Sequence, residues 1–446
     1  MKINNTLVLR RATATAAASC VLAAALGMLL TFAGCEAMHR AEQRAKEDQA
    51  KGDSTHPAPL PPSPPPTAAA APAAAVAPPP PPPILPFDDA VSKAAHVVLG
   101  SATAPATAPA LIVIDPLIDG VSGYQSKSTQ TIQEHIAQIV KQDFPQYTVQ
   151  RITPQSLKQN PRILVGTFTA VNGQMKTTGQ REAYRFCLVM GDLSTGKIVA
   201  KSVARARLED VDATPAAAFG DSPVWTEDPS VQSYIATCQA SKVGDPIKPE
   251  YIEGLLAAAL ISEAGDAYDA GQYAEALSLY TTARKSPAGD QLRVYNGRYL
   301  CLVKLGRQEE ATQAFRELVD YGIRRKRLAL KFLFQPGSVR FVTTNRVSAS
   351  YPMWLEQIAT EADASKVCLQ ITGHTSPTGP AALNDNLSLM RAEYIQTRLE
   401  EDDAALRKRL VATGAGSREN LIGTGKDDAS DALDRRVELK PIDPCG

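Results

Sequence analysis

The spacing of apolar positions changes along the chain, and each change predicts a different kind of element. From Ala12 to Phe32 there is no charged residue, and Val21, Leu22, Leu26, Met28, Leu29 and Leu30 fall in that run behind Lys2, Arg10 and Arg11. A basic start followed by an uncharged apolar stretch is the pattern of a secretory signal. Between Pro57 and Pro86, fifteen of thirty residues are proline. That density excludes helix and sheet ladder and predicts an extended polyproline spacer reaching on the order of 90 Å.

Leu111 to Ile114 is a short apolar run closed by Asp115-Pro116, and Ile132, Ile136, Ile139 and Val140 follow at helical spacing. A buried strand therefore precedes a helix. Residues 163–171, 184–193 and 197–208 read as strands, the last two joined by the turn Ser194-Thr195-Gly196. From Tyr251 to Tyr321 the period is helical, and Gly271, Tyr273, Ala276, Tyr280 and Ala283 recur 35 residues later as Gly306, Gln308, Ala311, Phe315 and Leu318. Mixed periods then return, with a strand at 328–334, a helix at 353–362, a strand at 367–373, a longer helix from Asn386 and a strand at 434–439. On that longer helix Leu387, Tyr394, Ile395 and Leu399, with the stem of Arg398, form the apolar face and leave Arg391 near the first turn, toward the preceding loop.

The fold class expected is multidomain α/β and α+β. Its parts are a signal peptide at 1–34, an Ala/Pro-rich linker without regular structure at 35–87, an α/β domain at 88–247, a helical-repeat segment at 251–321 and an α+β module at 325–446. A chain of 446 residues is long enough for two to four domains. With 47 basic and 47 acidic residues there is no global field to draw in nucleic acid. No HExxH or GxSxG set is present, and Gly423-Thr424-Gly425-Lys426 lacks the rest of a phosphate-binding loop. His39 and His56 fall before the folded region, while His96 and His135 stand alone. No catalytic set, metal site or cofactor is expected.

Of seven cysteines, Cys20 and Cys35 belong to the amino-terminal segment. The other five would lie in an oxidising compartment, and an odd number leaves at least one thiol free. Cys187 with Cys238, and Cys368 with Cys445, are the candidate disulfides; Cys301, on an apolar helical face, is expected as a buried thiol.

Several stretches resemble known families. Thr31-Phe32-Ala33-Gly34-Cys35 is similar to a bacterial lipobox, which implies that Cys35 is lipidated and becomes the first mature residue. Glu36, in place of the Asp that retains such proteins in the inner membrane, implies the outer membrane. The alternative is an uncleaved anchor, since the apolar run is long enough to span a bilayer; under both readings the body lies outside the cytoplasm. The strand and helix order of 88–247 resembles the amino-terminal domain of TolB. Residues 251–321 resemble two tetratricopeptide-like repeats, whose usual period is about 34 residues.

Three blocks carry the most specific resemblance: Gly373-His374-Thr375-Ser376, then Asn384 to Ala392, then Asp434-Arg435-Arg436-Val437-Glu438. In order and spacing they are similar to the GHTD, NxxLSxxRA and DRRVE blocks of OmpA-like domains, as found in OmpA, MotB and Pal. The resemblance implies a βαβα sandwich with a further strand that binds the diaminopimelate-bearing stem peptide of peptidoglycan. The residues implied are Thr375, Ser376, Asn384, Asp385, Leu387, Arg391 and Arg435. A planar guanidinium such as that of Arg391 can hold a carboxylate through two parallel hydrogen bonds.

Ser376 departs from the family, which has an Asp there facing the ligand ammonium. Losing one charge-assisted bond costs roughly 1.5 to 3 kcal/mol, about ten- to hundred-fold in affinity. Asp385 is the candidate to supply the missing carboxylate. His374 is expected as a hydrogen-bonded structural residue, and Asp434 and Arg435 are expected to fasten the last strand. The function expected is that of a non-enzymatic lipoprotein, on the periplasmic face of the outer membrane, that links membrane to cell wall. The alternatives are a periplasmic adaptor that recruits a protein partner through the α/β and repeat segments, and a wall-modifying enzyme.

Overall fold

Ile84 and Leu85 end the proline run and form a two-residue strand, β1 (Ile84–Leu85), parallel to the end of β6 (Lys197–Ala206). This corrects the expectation that nothing before Pro86 joins a sheet: two residues free of proline suffice at a sheet edge, where few backbone donors are needed. A helix follows, α1 (Phe87–Ser101), which the sequence reading missed. Next come β2 (Ala110–Ile114), α2 (Lys127–Asp143), β3 (Tyr147–Arg151), β4 (Arg162–Val171), β5 (Ala183–Asp192) and β6. The six strands lie in the order β1-β6-β5-β4-β2-β3; β2 runs parallel to both β3 and β4, while β4, β5 and β6 form an antiparallel meander.

Successive side chains of a strand point to opposite faces, and β4 shows how both faces are filled. Leu164 and Phe168 pack with α1 and α2 through Ala94, Val98, Ile132 and Ile136. Ile163 and Val165 pack on the other face with Val231, Tyr234 and Cys238 of α3 (Pro229–Gln239) and with Tyr251 and Leu255 of α4 (Pro249–Asp269). A sheet covered on both sides explains why β4 is buried throughout.

The helix α4 has two partners. Its first turns cover the sheet, and its second half joins α5 (Tyr273–Lys285), α6 (Leu292–Lys304) and α7 (Gln308–Arg324) in a further core. Gly271 between α4 and α5 and Gly306 between α6 and α7 both have positive φ, 78° and 72°. The 35-residue shift thus corresponds to two helix pairs turning at equivalent glycines, a conformation costly for any residue with a Cβ.

The remaining chain forms a second sheet of β7 (Leu328–Leu330), β8 (Cys368–Gly373), β9 (Leu410–Gly414) and β10 (Val437–Ile442), in the order β7-β10-β8-β9. Helices α8 (Tyr351–Ala364) and α9 (Ala381–Asp402) pack on one face. Three boundaries differ from expectation. Strand β7 stops at Leu330, α9 begins at Ala381 rather than near Asn386, and the last strand begins at Val437 because Asp434 closes a 3-10 turn. Strand β9 was not foreseen: it has five residues, and the small Ala412, Thr413 and Gly414 blur its alternation.

The computed structural model describes residues 80–102, 109–225, 228–326, 328–335, 337–343, 346–425, 430–443 and 445. The signal segment, Cys35 and most of the proline spacer lie outside the described residues. Among those described, no helix is long and apolar enough to cross a membrane. The described residues belong to one compact unit.

Candidate functional site

The loop after β8, the first turns of α9 and the turn before β10 meet at one pocket. Gly373 ends β8 where the backbone of α9 comes so close that a Cβ would overlap the Ser388 carbonyl oxygen; this close approach fixes the distance between sheet edge and helix. The Thr375 N–H donates to the Gly416 carbonyl at 2.9 Å. Asn384 Nδ2 donates to the Thr378 carbonyl at 3.0 Å, which pins the loop to α9.

Asn384, Leu387 and Arg391 lie three and seven residues apart, hence on one stripe of the helix. With Thr375, Ser376 and Arg435 they line a pocket of about 220 Å³. Six of the seven expected ligand residues therefore come together. Arg391 is 1 % exposed and belongs to the buried stripe of α9, further along the helix than expected because the helix begins at Ala381 rather than near Asn386. Its Nε donates to the Ser338 carbonyl at 3.1 Å, Nη2 to the Gln335 carbonyl at 3.2 Å and Nη1 to the His374 carbonyl at 3.5 Å, while the guanidinium lies 5.0 Å from the Phe334 ring centre. A guanidinium has five N–H donors; these three bonds leave two for a ligand.

Among the described residues no carboxylate lines this pocket. Burial, and then the neighbouring Arg435 charge, push the Arg391 guanidinium down to about 10. It stays cationic at neutral pH with no anion beside it among the described residues, and a buried charge in that state favours an anionic ligand. The Thr375 hydroxyl is buried and has no hydrogen-bond partner among the described residues, and the Ser376 hydroxyl shares a hydrogen bond of 2.9 Å with that of Thr378.

Four expectations are corrected. Asp385 does not face the pocket: one residue of helix is a turn of about 100° away from Asn384, and its carboxylate pairs with Arg418. Ser376 is therefore not replaced by a nearby acid. His374 is buried with neither ring nitrogen hydrogen-bonded among the described residues, although Glu419 and Glu438 lie 3.9 and 3.8 Å away; burial, then the Arg436 charge, lower it to about 2, so it is neutral.

Asp434 does not fasten the last strand directly. It accepts from the N–H groups of Leu421, Ile422 and Gly423 at 2.6, 3.0 and 2.8 Å and so shapes the turn beside the pocket. Arg436 lies 4.4 Å from the Trp225 ring centre and donates to Glu438. Cys187 and Cys238 are two buried thiols, each donating to the other's carbonyl at 3.1 Å, not a disulfide. Cys368 and Cys445 are bonded, and Cys301 is a buried thiol that burial raises to about 12.

Sequence reasoning missed the segment around Gln335 and Ser338 that cradles Arg391. Its contribution is made by backbone carbonyls, which every residue type carries, so no side-chain pattern announces it.

The fold is a mixed α/β chain whose second sheet, with two helices on one face, carries an arginine pocket. Solved structures similar to part of it include the peptidoglycan-associated lipoprotein from Burkholderia pseudomallei, at 24% identity over 25% of this chain and 88% of that one, TM-score 0.21. The carboxy-terminal domain of Helicobacter pylori MotB is 18% identical over 25% of this chain and 82% of its own, TM-score 0.21. The cell wall anchor of the T6SS from Pseudomonas aeruginosa is 24% identical over 25% and 74%, TM-score 0.21. No protein-family model and no curated protein matches the chain.

Proposed function

We propose that the pocket of Arg391 and Arg435 binds a carboxylate of the peptidoglycan stem peptide, and that the chain is an exported, non-enzymatic lipoprotein holding cell wall to the outer membrane through a lipid on Cys35. The observation that carries this reading is two guanidiniums converging on one pocket with no carboxylate among its described lining residues. The order of the three sequence blocks adds the identity of the ligand. With Ser376 in place of an acid and Asp385 paired with Arg418, the ligand ammonium meets no charged acceptor among the described lining residues, so binding rests on the carboxylate clamp and is correspondingly weak.

Co-sedimentation of the full-length chain with purified peptidoglycan tests this. Arg435→Gln removes one positive charge from the pocket lining and should weaken binding about tenfold, and Ser376→Asp should strengthen it by about as much or more. If neither the natural chain nor Ser376→Asp sediments, the reading fails. The anchor has its own test: metabolic labelling with palmitate should mark the natural chain and leave Cys35→Ser unlabelled.

A further inference from the structure

A second cavity lies far along the chain from this pocket, beyond the carboxyl end of β2. From β2 the chain leaves through α2 to β3 on one side, whereas from β4, the other neighbour of β2, it leaves to β5 on the opposite side. Connections departing in opposite directions open a crevice at the strand ends, the place where open α/β sheets bind ligands. Here α4 and α6 roof that crevice, and Asp115, Ser262, Arg293 and Asn296 line it together with apolar Ile261 and Leu300.

Its polar groups are incompletely used. Asn296 is 6 % exposed, and its Oδ1 has no hydrogen-bond partner; Arg293 Nε is buried and likewise without one among the described residues. Asp115 is buried, accepts a bond of 2.7 Å from the Tyr251 hydroxyl and feels the Arg293 charge. Buried polar atoms left unpaired are costly unless something fills the space between them. The cavity has about 60 Å³ open to the centre of a water molecule. One water needs roughly 10 to 15 Å³ on that measure, so the space takes about four to six atoms of that size. A cationic donor, the carboxylates of Asp115 and Asp269 and a neutral acceptor in so small a chamber match a molecule carrying both charges on a short frame.

We propose that this cavity binds a small zwitterion of the amino-acid class, such as alanine, with its carboxylate on Arg293 and its ammonium on Asp115 and Asn296 Oδ1. The site is independent of the wall-binding pocket, and it would place a small-molecule input under the roof that joins the first sheet to the helix pairs. The raised carboxyl of Asp115 agrees with a charge held ready for a cationic group.

Isothermal titration of the full-length chain in detergent with glycine, L-alanine and D-alanine tests the proposal, with acetate and ethylamine as half-ligands. Saturable binding of at least one amino acid is expected, at least tenfold tighter than either half-ligand. It should weaken tenfold or more in Arg293→Gln and be unchanged in Arg435→Gln, whose effect belongs to the other pocket. Gly265 also lines the cavity, and a Cβ there meets nothing within 4 Å. Gly265→Leu should therefore fold with full helix content, fill the chamber and abolish binding. Absence of saturable heat with all three amino acids at millimolar concentration would mean the cavity holds water only and would overturn the proposal. So would binding that survives Gly265→Leu, or half-ligands that bind as well as the amino acid.

Discussion

Asp115 ends a buried strand, and burial there outweighs the help it receives from the Tyr251 hydroxyl and the Arg293 charge, raising its carboxyl from 3.8 to about 6. The folded chain then holds this proton more tightly than the unfolded one. The resulting stabilisation is complete below about pH 4 and is lost as pH rises through about 6, a change of about 3 kcal/mol. His374 acts in the opposite sense, since its lowered value makes the unfolded chain bind the proton as pH falls below 6.5, so the two must be separated by comparing proteins at each pH. Asp115→Asn should match the natural chain in urea unfolding near pH 4 and exceed it by about 3 kcal/mol near pH 7.5. Equal midpoints at both values would show that the carboxyl carries no such cost. At the Arg391 pocket the proposed wall binding turns on Ser376, and the co-sedimentation of Ser376→Asp reads its missing charge directly.

At the level of elements, the helix pairs depend on one small residue. A Cβ on Gly297 of α6 would run into three ring atoms of Tyr280, which is buried in α5. Gly297→Ala gains helix propensity but overpacks this contact, and the net effect should be a loss of about 1 to 3 kcal/mol in denaturant unfolding. A stabilised variant would mean that the ring shifts at little cost. The same level explains which parts of the site were legible. Asn384, Leu387 and Arg391 share a stripe once α9 is known to begin at Ala381, and Asp385 falls off it. Read from Asn386, the helix left Asn384 and Asp385 in a loop where either could face the ligand. The residues before Asn386 lack an apolar period, and Leu383 is exposed, so the sequence pattern had no means of extending the helix backwards.

Across the whole molecule, a single apolar core runs from α4 to β10 without a break between the helix pairs and the second sheet. Phe315 of α7 stacks on Trp354 of α8 with ring centres 5.4 Å apart and planes 9° apart, and the Trp354 indole N–H donates to the Tyr299 hydroxyl at 2.7 Å. Trp354→Ala should therefore cost about 3 to 5 kcal/mol. Residues of both segments should unfold together, with hydrogen-exchange protection of α6 and β8 lost to the same extent; loss confined to β8 would show two separable units. The Cys368–Cys445 bond spans 77 residues of chain and ties β8 to the segment beyond β10. Loop entropy gives such a link about 4.5 kcal/mol, so reduction should lower the denaturant midpoint, and Cys368→Ala with Cys445→Ala should reproduce the shift.

By itself the sequence determined the identity and order of most elements, because period and turn chemistry are local: the strands of the meander, the repeated helix pair with its two glycines, and the three blocks around Gly373, Arg391 and Asp434. It also showed that position 376 carries no acid, since Ser376 can be read directly, while leaving open whether Asp385 replaces it. Only the tertiary structure decided which groups meet. The backbone carbonyls that hold Arg391, the turn of helix that sends Asp385 to Arg418, the two thiols at Cys187 and Cys238, and the chamber joining Asp115 to Arg293 all depend on atoms brought together from distant parts of the chain. Such contacts are set by packing, which no spacing of residue types along one segment encodes.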